Sequence, residues 1–314
     1  MPRPIASSLF LALAGLVAAP APGTVLEAAT PLASSQATGT APVRVAPARA
    51  ESGESLVSTD LVALDGAIEP GKPFALGVRF TIAPKWHVYW KNPGDSGGAP
   101  GILIEVPKGF SVGPVEYPRP VVLEKPEEVT IGYERQVIYR VMITPPATFD
   151  GLPPAITLVG KLDWMVCHER CLMGRREVKV ELPLNAPIPS ELTAKPGEFP
   201  SAAKDLGIDA TLEGETLILR AASLPKGTVL RFLPDVTPGV SYGATVPAAV
   251  VATDEGATAR IPLTIKPQNA LGQPLRAAGL VTLSAADGTP KGSAEISISL
   301  DSPKNATSTG GAIR

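Results

Sequence analysis

Apolar and polar residues alternate along a series of short stretches of this chain. In "PFALGVRFTI", residues 73–82, Phe74, Leu76, Val78, Phe80 and Ile82 share one phase, while Ala75, Gly77, Arg79 and Thr81 take the other. A period of two over that length predicts a half-buried strand. "QVIYRVMIT" (136–144), "AITLVGKLDWMV" (155–166) and "REVKVELPL" (176–184) read the same way. "NPGDSGGAPG" and "PPATFDGLPP" separate strands and carry the residues that favour turns. A second series follows the polar, proline-bearing "NAPIPSELTAKPGEFPSAAKD": "ATLEGETLILRAA", "TVLRFLP", "ATARIPLTI", "AGLVTLSAADG" and "SAEISISL". No long helical period is present. The pattern predicts an all-β protein in two blocks, the second a sandwich.

The 314-residue length favours two domains. The N-terminus reads as an export signal: Arg3 precedes "IASSLFLALAGLVAA", an apolar run shorter than the roughly 20 residues a spanning helix needs. No later run is long enough to span a bilayer. The organisation expected is a signal over 1–22 with its cleavage point unfixed, a flexible linker over 23–57 and a β-domain over 58–188. A linker over 189–205, a smaller β-domain over 206–301 and a disordered tail over 302–314 complete it. The 35 prolines are about twice the average share, which suits strands joined by turns. A net charge of −2 gives no footprint for nucleic acid. An exported chain meets conditions that permit disulfides.

That matters because the only two cysteines, Cys167 and Cys171, lie in "DWMVCHERC". In the strand before them Ile156, Leu158, Leu162, Trp164 and Val166 share the inward phase, so Cys167 falls in the outward one. The return strand turns Val178, Val180 and Leu182 inward. A turn at "HER" is needed to bring the sulfurs together, since residues four apart in one strand stand about 13 Å apart. Three readings compete. A structural staple would close only a short loop, contributing about 2 kcal/mol. A metal site could use Cys167, His168 and Cys171, and thiolates suit Cu(I), but structural zinc wants four ligands and no second pair exists. A redox couple has His168 and Arg170 beside the sulfurs to favour a thiolate, against Glu169, with Arg175 and Arg176 nearby.

Other conspicuous residues have plainer explanations. Trp86, Tyr89 and Trp90 suit packing, and His87 suits a structural hydrogen bond while remaining a secondary candidate. "NPGDSGG" reads as a tight turn, with Asp95 bonding its own backbone and glycines at positive φ. The second block has no Cys, His or Trp, so chemistry is not expected there.

"WHVYWKNPGDSGGAP" (86–100), "IGYERQVIY" (131–139) and "DWMVCHERC" (163–171) together resemble the periplasmic N-terminal domain of the DsbD and ScsB thiol–disulfide reductases, over roughly residues 58–185. The second block is similar to the longer, ScsB-type version of this region. The resemblance implies an immunoglobulin-like β-sandwich in the periplasm, with Cys167 and Cys171 as the redox pair. It implies no cofactor and no metal. It also implies a cap loop shielding the pair, and "TIGYE" makes Ile131 and Tyr133 the candidates. The partners implied are thioredoxin-like periplasmic proteins and a separate membrane electron carrier of DsbD type, because this chain shows neither the membrane carrier nor a C-x-x-C domain. The rival readings are a non-catalytic binding or assembly module with a structural disulfide, and copper handling through the same thiolates.

Overall fold

The computed structural model describes residues 51–126, 128–194, 197–266 and 275–300. The expected signal over 1–22, most of the expected linker over 23–57 and the expected tail over 302–314 lie outside the described residues. The last linker residues form a helical turn, α1 (Gly53–Leu56), closed by reciprocal hydrogen bonds between Ser52 and Ser55. Ten strands follow in the first lobe. They are β1 (Val57–Ala63), β2 (Phe74–Ile82), β3 (His87–Gly94), β4 (Gly101–Glu105), β5 (Ser111–Glu116), β6 (Val121–Lys125), β7 (Glu128–Glu134), β8 (Gln136–Thr144), β9 (Ala155–Cys167) and β10 (Cys171–Pro183).

They build two antiparallel sheets, ordered β1-β2-β8-β5 and β10-β9-β3-β7-β6, with β4 also pairing β9. The alternation in the sequence supplies the inner faces. Phe80 of β2 meets Tyr139 of β8 and Trp164 of β9 edge-on, with ring centroids 5.3 and 5.4 Å apart. Trp90, Leu158 and Val166 complete the buried layer. Each such side chain contributes about 1.5–3 kcal/mol by leaving water. Gly174, opposite Trp164, makes room for the indole: a Cβ there would stand 2.4 Å from the ring.

The second lobe holds β11 (Ser201–Ala202), β12 (Asp209–Glu213), β13 (Thr216–Ala221), β14 (Val229–Pro234), β15 (Val240–Tyr242), β16 (Val250–Val251), β17 (Ala257–Ile265), β18 (Arg276–Ser284) and β19 (Pro290–Ser299). Its sheets run β11-β19-β18-β14-β16 and β12-β13-β17-β15 around a separate core that includes Leu219, Phe232 and Val281. The molecule is thus an immunoglobulin-like β-sandwich followed by a further β-domain.

The lobes touch. Leu233 and Leu280 of the second lobe belong to the core cluster of the first. Lys91 reaches Asp235 and Glu295 at 3.0 and 2.9 Å, and the Asn92 side-chain amide donates to the Pro234 carbonyl at 2.7 Å. The connector lies along the first lobe: Arg119 N donates to Glu198 O at 2.8 Å, and the Arg140 guanidinium sits 4.1 Å from the Phe199 ring centroid.

Candidate functional site

β9 and β10 form a hairpin whose strands pair from Ala155 opposite Pro183 to Cys167 opposite Cys171. Its tip is the three-residue turn His168–Arg170, closed by His168 N donating to Arg170 O at 3.1 Å. The two Cα atoms are 4.2 Å apart and the sulfurs are bonded to each other. Directly opposed residues project to the same side of a sheet. Both cysteines therefore lie on the outer face, as their phase requires.

That face is not open water at Cys167. Cys171 is exposed, whereas Cys167 is only 3% exposed, contrary to the expectation that its sulfur looks into solvent. The cause is β3. His87 pairs with Cys167, and His87 and Tyr89 fill the same outer face, both buried. Their rings meet edge-on at 5.2 Å, and the Tyr89 hydroxyl stands 3.9 Å from Cys171 Sγ. Burial, with the Glu128 carboxylate nearby, holds the Tyr89 hydroxyl above the ordinary phenol range, so it keeps its proton at neutral pH. Val88 and Trp90, in the opposite phase, enter the core.

The thiolate-tuning candidates are placed differently from one another. His168 is exposed and packs on Trp86, ring centroids 5.9 Å apart. Arg170 is engaged by Glu51 in an exposed ion pair, which dilutes its effect on the sulfurs. Arg176 donates to the Glu54 carbonyl at 3.0 Å, and Arg175 N to the Glu54 carboxylate at 2.8 Å. The hydrogen bond from Arg175 N is the main cause that holds that carboxyl below its ordinary range.

Ile131 and Tyr133 are not brought to the pair. "TIGYE" is strand β7 rather than a loop, and its period of two turns both residues into the core. The Tyr133 hydroxyl donates to Pro118 O at 2.7 Å, and its ring lies edge-on to Tyr139. The outward residues of β7, Thr130 and Glu134, instead line a shallow groove of about 540 Å³ with Lys85, His87, Leu123 and His168. This groove adjoins the hairpin tip.

The "NPGDSGG" turn also differs from its reading. Gly94 and Gly97 do take positive φ, 96° and 97°. The local side-chain bond is made by Asn92, which accepts from Gly94 N at 3.1 Å. Asp95 bonds away from its own turn, accepting from Val129 N at 2.7 Å and from Thr245 at 2.5 Å. Among the described residues, no group of three or more His, Cys, Asp or Glu side chains is placed to hold a metal ion.

Residues 57–183, from β1 to the end of β10, match the family model described as thiol:disulfide interchange protein DsbD, N-terminal. Over these residues the chain is similar to a DsbD N-terminal domain. The disulfide at the hairpin tip falls inside the matched residues. Among solved structures, the N-terminal periplasmic domain of ScsB from Proteus mirabilis is 18% identical, with a TM-score of 0.49, covering 78% of this chain and 93% of that one. The full-length major pilin SpaD from Corynebacterium diphtheriae is 9% identical, with a TM-score of 0.25, covering 73% of this chain and 57% of that one. No curated protein matches the chain. Among the described residues, no helix is long and apolar enough to cross a membrane.

Proposed function

We propose that this protein is an exported, periplasmic thiol–disulfide exchange protein whose Cys167–Cys171 pair passes electrons from a separate membrane carrier of DsbD type to thioredoxin-like proteins. The observation that carries the reading is the asymmetry of the bridge: within the DsbD-type domain, one sulfur is exposed and the other buried. Exchange requires in-line approach of an outside thiolate to one sulfur, with the other leaving.

Loading begins when a thiolate of the electron donor attacks Cys171 Sγ. The Cys167–Cys171 bond breaks and Cys167 leaves as a thiolate. The donor's second thiolate then attacks its own sulfur in the mixed disulfide, and Cys171 leaves. The donor is oxidised to a disulfide and the pair has gained two electrons. Delivery reverses the order. The Cys171 thiolate attacks the acceptor's disulfide, one acceptor sulfur leaves, and Cys167 then resolves the mixed disulfide. The pair returns to a bridge, and the acceptor's thiolates take up protons from water.

Single-cysteine variants test this. Cys167→Ser keeps the exposed sulfur and removes the resolving one, so it should accumulate a covalent adduct with a thioredoxin-like protein, seen by mass spectrometry of acid-quenched periplasmic extracts. Cys171→Ser should give far less, and the double variant none. Absence of any adduct, together with a wild-type bridge that resists dithiothreitol in the folded state, would return the pair to a staple and the protein to a non-catalytic binding module.

A further inference from the structure

The Gly94–Gly98 loop connects the bridge to the second lobe. Gly97 lies flat on the Tyr89 ring: a Cβ there would stand 2.2 Å from the ring's Cζ. Only a residue without a side chain can lie that close, and φ of 97° suits glycine as well. Tyr89, buried in this way, presents its hydroxyl to Cys171 Sγ at 3.9 Å. The loop is gripped on one side by β7, where Asp95 N donates to Val129 O at 2.9 Å, Val129 N donates to the Asp95 carboxylate, and Ser96 donates to Glu128. On its other side the second lobe supplies Thr245, whose hydroxyl donates to the remaining Asp95 oxygen at 2.5 Å. Just upstream, Lys91 and Asn92 are also held by the second lobe.

We propose that the second lobe is a clamp on the redox site: through Thr245 and Asp95 it holds the Gly94–Gly98 loop down on Tyr89, and Tyr89 thereby restricts approach to Cys171 Sγ. Asp95 and Thr245 are positioning residues; neither touches the sulfurs. Two donors from different lobes converge on one carboxylate, and the Thr245 bond, followed by the Val129 bond, holds its acidity above the ordinary aspartate's. The carboxylate is therefore ionised, and a charged acceptor makes the stronger kind of hydrogen bond. In attack on Cys171 the leaving sulfur is Cys167, so freeing Tyr89 acts on access rather than on the leaving group. The clamp gives the second lobe, which has no redox residue of its own, a part in selecting who reaches the bridge.

This inference rests on the exchange reading, and one experiment separates the two. The full chain, oxidised, is treated with dithiothreitol under native conditions, and bridge reduction is followed by acid quench and mass spectrometry. Thr245→Val should raise the rate about fivefold, the factor that one hydrogen bond of typical strength represents. Thr245→Ser, which keeps the hydroxyl, should restore the wild-type rate. An unchanged or slower rate in Thr245→Val, or a faster one that Thr245→Ser fails to restore, overturns the clamp. If dithiothreitol does not reduce the folded wild-type bridge at all, the exchange reading falls and the clamp with it. A wild-type bridge that is readily reduced, with no effect of Thr245, sinks the clamp alone.

Discussion

Two cysteines four residues apart occupy different environments because β3 runs beside Cys167, with His87 paired to it, while Cys171 lies past the end of that pairing. The Tyr89 hydroxyl lies 3.9 Å from Cys171 Sγ. Once the bridge is reduced, a protonated phenol at that place is a donor within reach of the Cys171 sulfur. Tyr89→Phe keeps the ring and removes the donor. It should therefore slow alkylation of Cys171 in the reduced protein about fivefold at neutral pH, the factor that one hydrogen bond of about 1 kcal/mol represents. The pH dependence of Cys171 alkylation by iodoacetamide in the reduced protein reads this directly; superimposable profiles for the two proteins would show that the hydroxyl does not serve the thiolate. Alkylation of Cys167 should remain slow in both, because His87 and Tyr89 cover its side of the sheet.

At the scale of the element, the β9–β10 hairpin holds itself together without its bridge. Thirteen residues pair on each strand, and Trp164, Val166, Val180 and Leu182 anchor them in the core. Replacing both cysteines by serine should leave a cooperative, folded sandwich destabilised by about 2 kcal/mol, the loop-closure value for so short a ring. Urea melts followed by circular dichroism test this, and an unfolded double variant would mean that the pair is a staple after all. The same hairpin shows what a sequence can and cannot disclose. Its strands, turn and inward residues were legible because a period of two is a local property. The outward phase of Cys167 was legible too. Its burial was not, because the residues that cover it, His87 and Tyr89, come from a strand some 80 positions away in the chain. The "TIGYE" segment failed for a related reason. The resemblance implied a cap loop there, but pairing with β3 and β6 on both sides makes it a central strand, and Ile131 and Tyr133 turn inward. A signal was present in "WHVYW": His87 and Tyr89 share one phase, Val88 and Trp90 the other. Recognising it requires knowing which sheet face meets the cysteines.

For the whole molecule, the decisive contact is Lys91. Burial opposes its charge, but the Asp235 and Glu295 carboxylates outweigh burial and raise the ammonium's pKa. Asp235 is itself pushed above the ordinary carboxyl range, because burial there outweighs the pull of Lys91. For Lys91 the sign is definite. A raised folded-state pKa gives stability that is fully present below the unfolded value, about 10.4, and is lost as pH rises through the folded value. The full chain should therefore lose melting temperature from pH 10 upward, and Lys91→Met, with no group to titrate there, should lose less over the same range. Parallel thermal scans of the two proteins decide it; equal alkaline losses would show that Lys91 does not couple the lobes energetically.

The N-terminal turn α1 has a consequence for how this protein meets others at high concentration. β10 is the last strand of its sheet, and a bare last strand invites foreign strands to add to it. Here Gly53 packs on the backbone of Met173 and Gly174, and the Glu54 carboxylate takes the outward amide of Arg175. The border beside the reactive hairpin is sealed over that stretch. A foreign strand, β10 of a second copy included, therefore cannot pair along Met173–Arg175.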